Sequence, residues 1–244
     1  MPSQKWRWTL LIAMVVLFPV TFYYVSPYVI LMGAAEGVVA GSFLVFGVLF
    51  LSALVFGRAF CGWLCPAGAI GQAVCRFHGK RVRHRWLRWI KYGIWVPWIG
   101  LIVWLSIRAG GLHRVDFTYQ TWHGISMASL QAVFVFAVVL ALIAGLALAI
   151  GRRGFCHAVC WMAPFLVLGT RIRDRVRLPG LRLVAQPNLC VRCGSCTKAC
   201  PMSLDVQKMV ESGDMTNAEC ILCGQCVDRC PKDVLSLRFT RASS

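Results

Sequence analysis

The 244-residue chain is 58% hydrophobic and carries 26 Lys/Arg against nine Asp/Glu, a formal charge of +17. That apolar content excludes an ordinary soluble domain. The charge does not point to nucleic acid either: residues 186–244 hold seven Lys/Arg against six Asp/Glu, and the excess sits in two short runs, RFHGKRVRHRWLRWIK (76–91) and RIRDRVRLPGLR (171–182). Both interleave cations with Trp, Leu or Val, as juxtamembrane segments on anionic lipids do.

In chain order, residues 8–35, 37–57 and 125–150 contain no charge, and 89–107 contains only Lys91. Lys91 lies near the start of its run, where its stem is expected to snorkel to the interface. Runs of about 20 apolar residues match a bilayer core, so four transmembrane helices are expected. The first could be a signal peptide, with Lys5 and Arg7 before it and Gly33-Ala34-Ala35 behind, but its apolar stretch is much longer than such signals use. An uncleaved span is therefore expected. With the N-terminus cytoplasmic, 24 of the 26 Lys/Arg lie inside and only Arg108 and Arg114 outside, which sets both termini on the cytoplasmic side.

The tail reads Cys190-x2-Cys193-x2-Cys196-x3-Cys200-Pro201 and then Cys220-x2-Cys223-x2-Cys226-x3-Cys230-Pro231. This is the two-cluster ferredoxin spacing, in which the fourth cysteine of each run ligates the other cluster. One 4Fe–4S cluster is thereby assigned to Cys190, Cys193, Cys196 and Cys230, the second to Cys200, Cys220, Cys223 and Cys226. Gly194 and Gly224 hold equivalent positions and would let backbone amides approach the cluster sulfurs. Zinc rarely uses this triple spacing, and a reducing cytoplasm disfavours disulfides. Cys75, alone in AVCRF, reads as a small buried hydrophobe.

Four cysteines remain. GRAFCGWLCP (57–66) and GRRGFCHAVCWMAP (151–164) each follow an apolar run, and Cys61 and Cys65 lie 95 residues before Cys156 and Cys160. Both units run the same way through the membrane, so a pseudo-twofold axis along its normal would bring the two pairs to one depth. In a helix, i and i+4 thiols share a face. Four convergent thiolates would make a further cysteine-ligated metal centre. Dithiol–disulfide exchange, or small residues at tight helix crossings, would explain them otherwise.

This combination resembles the NapH-type membrane-bound polyferredoxins and the C-terminal half of NosR-type proteins, a quinol dehydrogenase membrane-component family. The resemblance rests on the two Cys-x3-Cys motifs at helix ends and the two-cluster tail, over about residues 57–237. It implies a bacterial inner-membrane protein that passes electrons between the quinol pool and a respiratory redox partner, an iron–sulfur or cytochrome subunit. One departure is that Cys160 is followed by Trp161-Met162-Ala163-Pro164 rather than directly by proline, which leaves the equivalence of the two halves open.

There is no Cys-x2-Cys-His for c-type haem, no matched intramembrane histidine pair for b-haem, and no nucleotide fingerprint. Quinol-site candidates are His157 and Trp161 beside the second pair, and His113, Asp116, Tyr119 and His123 in the outer loop 108–124, whose protonatable groups stand beside aromatics. That outer cluster also fits an interfacial aromatic belt. The expected architecture is an all-α membrane bundle of four transmembrane helices, two parallel hairpin repeats, over residues 1–185, followed by a small α+β two-cluster ferredoxin-like domain over 186–244. The function expected is an iron–sulfur electron-transfer subunit. A thiol- or metal-directed reductase and an assembly or regulatory factor for a respiratory metalloenzyme are the alternatives.

Overall fold

A computed structural model describes residues 2–82 and 86–241, without the side chains of Pro2 and of residues 75–78. The side chain of Cys75, and residues 76–78 and 83–85 of the first basic run in whole or part, thus lie outside the described residues.

The first apolar run folds in two rods. Helix α1 (Pro2–Thr21) gives way to a 3₁₀ turn, Phe22–Val25, and α2 (Pro27–Ala35) restarts at a proline in its first turn. Proline lacks the N–H that an ongoing helix needs but suits a helix start, so the path breaks there. Strand β1 (Val38–Ala40) and helix α3 (Gly41–Phe56) follow, then the five-residue α4 (Ala59–Trp63), α5 (Pro66–His78) and α6 (Leu87–Arg108). Beyond the outer loop, whose strand β2 (Arg114–Asp116) pairs in parallel with β1, come α7 (Leu130–Ile150), α8 (Gly154–Ala158) and α9 (Ala163–Arg175).

Among the described residues, three helical stretches are long and apolar enough to cross a membrane: Ser3–Ala35, Leu87–Arg108 and Leu130–Ile150. The fourth apolar run folds as the 16-residue α3, which rises about 24 Å at 1.5 Å per residue, short of the roughly 30 Å hydrocarbon core. The expected four spans therefore appear as three long helices and one short one.

The units α3–α4–α5 and α7–α8–α9 repeat one another and are interleaved: α5 lies against α7, and α9 against α3. The same hydrogen bonds shape both cysteine turns. Leu64 and Cys65 donate to the Phe60 carbonyl at 2.9 and 3.0 Å, and Val159 and Cys160 donate to the Phe155 carbonyl at 3.0 Å each. The missing proline acts only afterwards: α5 starts directly behind Cys65, whereas α9 starts three residues behind Cys160. Cys61 and Cys156 lie inside α4 and α8, but Cys65 and Cys160 stand just past their ends. Each pair thus spans a helix end rather than one continuous helical face.

The tail folds on a two-stranded antiparallel sheet, β3 (Gly180–Ala185) with β4 (Leu235–Thr240), in the register Gly180↔Thr240 to Ala185↔Leu235. The sheet thus draws in residues ahead of position 186. Between the strands lie the short helices α10 (Ser195–Ala199), α11 (Val206–Glu211) and α12 (Gln225–Asp228). Gly194 and Gly224 sit directly before α10 and α12 with φ of 71° and 73°, a left-handed conformation that favours glycine.

Candidate metal centres

Two mostly apolar cavities occupy the tail. One is lined by Cys190, Cys193, Cys196 and Cys230, the other by Cys200, Cys220, Cys223 and Cys226. The two sets cross: Cys226 and Cys230 are four residues apart yet line different cavities. Four thiols around one cavity are the donor set of a cubane. Among the described residues no three His, Cys, Asp or Glu side chains stand close enough to hold a single metal ion, whereas a cubane spreads its ligands around a four-iron core. Burial pushes the Cys220 thiol up to about 12. A bound metal deprotonates such a thiol outright.

The four cysteines of the repeat are all buried and lie in one electrostatic neighbourhood. Burial pushes the Cys160 thiol up to about 12, and Cys156 and Cys61 add to the effect. Cys65 is driven up by burial and then by Cys61, Cys156 and Cys160 together. Four neighbouring buried thiols cannot all ionise without a compensating cation. Cations surround them: Arg58 is felt by Cys61, Cys156 and Cys160, Arg153 by Cys156 and Lys91 by Cys160.

Arg58 and Arg153 are equivalent across the 95-residue repeat and are 0% and 1% exposed. The Nε and Nη2 of Arg58 find no hydrogen-bond acceptor among the described residues. Burying such donors unpaired is costly, and the sulfurs of a thiolate-held core would accept from them. The residues therefore fit a third cysteine-held centre.

Lys91 does not snorkel. It is 1% exposed because Glu219 of the tail reaches it: Lys91 Nζ stands 2.6 Å from Glu219 Oε1, and Arg58 Nη1 stands 2.5 Å from Glu219 Oε2. Burial works against the charged carboxylate, but Arg58 and Lys91 outweigh it and hold Glu219 down to about 2. Glu219 directly precedes Cys220, so one carboxylate ties the second tail cavity to the repeat. Further contacts join the same surfaces. Trp63 Nε1 donates to the Leu222 carbonyl at 3.0 Å, and Gln4 Nε2 to the Cys223 carbonyl at 3.0 Å.

Gly62, between Cys61 and Cys65 in chain order, makes this approach possible. A Cβ there would stand 2.3 Å from the Ile221 carbonyl oxygen and 3.4 Å from Cys223 Cα. Gly62→Ala is expected to push the tail off α4 at about 1–3 kcal/mol, seen as a lower Tm and faster proteolysis before Gly180 with the long helices intact.

His157 is 0% exposed, and neither ring nitrogen has a hydrogen-bond partner among the described residues. Burial, followed by Arg88, Lys91 and Arg58, lowers it to about 3, so the ring is neutral near pH 7. Trp161 donates from Nε1 to the Val25 carbonyl at 2.9 Å and packs edge-on against Phe155. The outer-loop candidates make mostly local contacts. Asp116 accepts from the Thr118 backbone N–H and hydroxyl and pairs with Arg114, a local turn arrangement. His113 is exposed with Nδ1 near the Gly111 carbonyl, and exposed His123 packs on Trp122. Tyr119 is half-buried.

Comparison with known proteins finds 4Fe-4S families over the tail and over each repeat unit. Residues 189–235 match the 4Fe-4S dicluster domain family, and residues 38–85 and 131–179, one copy per repeat unit, match a 4Fe-4S binding domain family. Fold and sites together define a ferredoxin-type iron–sulfur protein with helices apolar enough to span a membrane. Among its relatives is YccM of Escherichia coli K12, described as a candidate electron transport protein, 25% identical over 198 residues, 75% of this chain and 52% of YccM. Another is the methylamine utilization ferredoxin-type protein MauN of Methylobacillus flagellatus, 27% identical over 177 residues, 68% of this chain and 55% of MauN. The chain thus spans about half the length of the curated relatives it matches. No solved structure matches it.

Arg58, Arg153 and Glu219 were not singled out from sequence. The two arginines carried a signal, since each stands three residues before the first cysteine of its unit. Glu219 carried none.

Proposed function

We propose that the chain is a membrane-bound electron-transfer subunit with three cysteine-held iron–sulfur sites, linking a quinol in the bilayer to a redox partner on the cytoplasmic face. A bound 4Fe–4S core supplies one-electron chemistry. The carrying observation is the seat of the second tail cavity on α4: Ile221 and Cys223 pack against Gly62, beside Cys61. Cys190, Cys193, Cys196 and Cys230 then hold the distal site, where Cys193 is exposed to a partner, and Cys200, Cys220, Cys223 and Cys226 the middle one. Cys61, Cys65, Cys156 and Cys160 hold the innermost. Arg58, Lys91 and Arg153 offset its thiolate charge, and buried His157 offers the neutral ring beside it at which a quinol proton would be handled. The names of the two relatives and the resemblance to quinol dehydrogenase components support this direction of reading, as does the lysine–arginine asymmetry for a tail on the cytoplasmic side.

Iron analysis tests it. Anaerobically purified full-length protein is expected to hold about 12 iron atoms per chain, and the variant with all four repeat cysteines changed to Ser about eight, at four per cubane. Equal iron in both would remove the third site. Reduction of wild-type protein by a quinol analogue, lost in His157→Ala but kept in His113→Ala/His123→Ala, supports the inner quinol position; the opposite pattern moves it to the outer face.

A further inference from the structure

A cleft of about 1020 Å³ opens between α1, the end of α5, the α8 approach and the tail helices α10 and α12. No cysteine lines it, and it shares only Arg153 with the repeat site. Lys5, Arg152, Arg153, Lys198 and Arg229 line it, against one carboxylate, Asp228, which already accepts from the Ser3 hydroxyl at 3.1 and 3.3 Å. No ion pair engages any of the five cations among the described residues.

Arg153 gives the cleft a built floor. It is 1% exposed. Its Nη1 donates to the Cys61 carbonyl at 2.6 Å and its Nη2 to Gln72 at 3.2 Å, while its Nε, buried, has no acceptor among the described residues. A buried guanidinium donor left unpaired calls for an anionic oxygen.

The other wall is apolar. Trp8 and Ile12 line the cleft, and Val16, one turn on, is 71% exposed. Positions i, i+4 and i+8 share one helix face, so a greasy stripe runs from the cationic floor along α1 into the span Ser3–Ala35. The ligand must therefore be an amphiphile with an anionic head. A neutral quinone ring would leave most of this positive charge uncompensated, whereas a phosphodiester accepts from several cations at once.

We propose that this cleft binds the phosphate headgroup of an anionic phospholipid, its acyl chain along Trp8, Ile12 and Val16, which clamps the ferredoxin domain to α1. Because Arg153 also holds the Cys61 carbonyl, an occupied cleft would fix the first half of the repeat site as well.

Native mass spectrometry of the full-length protein in detergent, titrated with phosphatidylglycerol or phosphatidylcholine, tests this. Phosphatidylglycerol is expected to be retained and phosphatidylcholine lost. Lys5→Gln/Lys198→Gln, one change on each side of the cleft, should weaken phosphatidylglycerol binding about thirtyfold, at roughly one Lys/Arg increment per charge. Arg175→Gln/Arg177→Gln, in the exposed basic run at the end of α9, should leave it unchanged. Iron content equal to wild type in both variants separates lost binding from lost fold; if the first variant loses iron, Lys5→Gln alone carries the test and should weaken binding about fivefold. Unaltered binding in the cleft variant, or equal weakening in both, overturns the proposal. Displacement of the lipid by millimolar inorganic phosphate would do so too, by assigning the cleft to a soluble phosphate compound.

Discussion

Glu219→Gln is expected to be among the most damaging single changes in the protein, lowering stability by about 3–5 kcal/mol, the usual cost of removing one partner of a buried ion pair. The carboxylate is the only anion that the described structure places against Arg58 and Lys91, and both cations are almost fully buried. Without it they face one another in a medium that screens little. Chemical denaturation should report the loss, and hydrogen exchange in β3 and β4 should rise first, because the tail is what Glu219 anchors. The triple change Arg58→Met, Lys91→Met and Glu219→Leu removes every charge in the knot and is expected to recover most of the lost stability. If the triple variant is no better than Glu219→Gln, packing rather than charge holds the tail in place.

Cys230→Ser should have an equally sharp but chemically different effect. Cys230 lines the cavity of Cys190, Cys193 and Cys196, over 30 residues away in sequence, and not that of its neighbour Cys226. Iron should fall by about four atoms per chain, and the low-temperature EPR spectrum of the reduced protein should keep the signal that Cys226→Ser removes. Selective loss of the cluster held by Cys220, Cys223 and Cys226 would refute the ligand assignment.

The difference between these two residues explains what could be read in advance. The tail cysteines stand at fixed short intervals, each run closed by Pro201 or Pro231, so spacing alone anticipated the two sets that line the cavities. The repeat was equally legible, since a 95-residue offset superposes arginine, phenylalanine and both cysteines. Burial of charge was not. Lys91 in an apolar run reads as a snorkelling side chain until a carboxylate from 128 positions along the chain meets it, and no local pattern announces that meeting. The shortness of α3 was likewise hidden. Apolar residues continue ahead of it, but Val38–Ala40 are taken up by pairing with the outer loop, and Gly57 begins the turn into α4.

The interleaving of the two units has a consequence for stoichiometry. Each unit completes itself with the last helix of the other, so a chain holding a single unit would have to pair with a second copy to fold. Such a pair would offer two identical landing faces and would carry two tails. Here the units are joined, and position 62 is free to differ from position 157: glycine on the side where the tail rests, histidine on the other. Fusion thereby makes the two faces unequal: the tail rests on one, and the other face of the four cysteines is left for a different occupant.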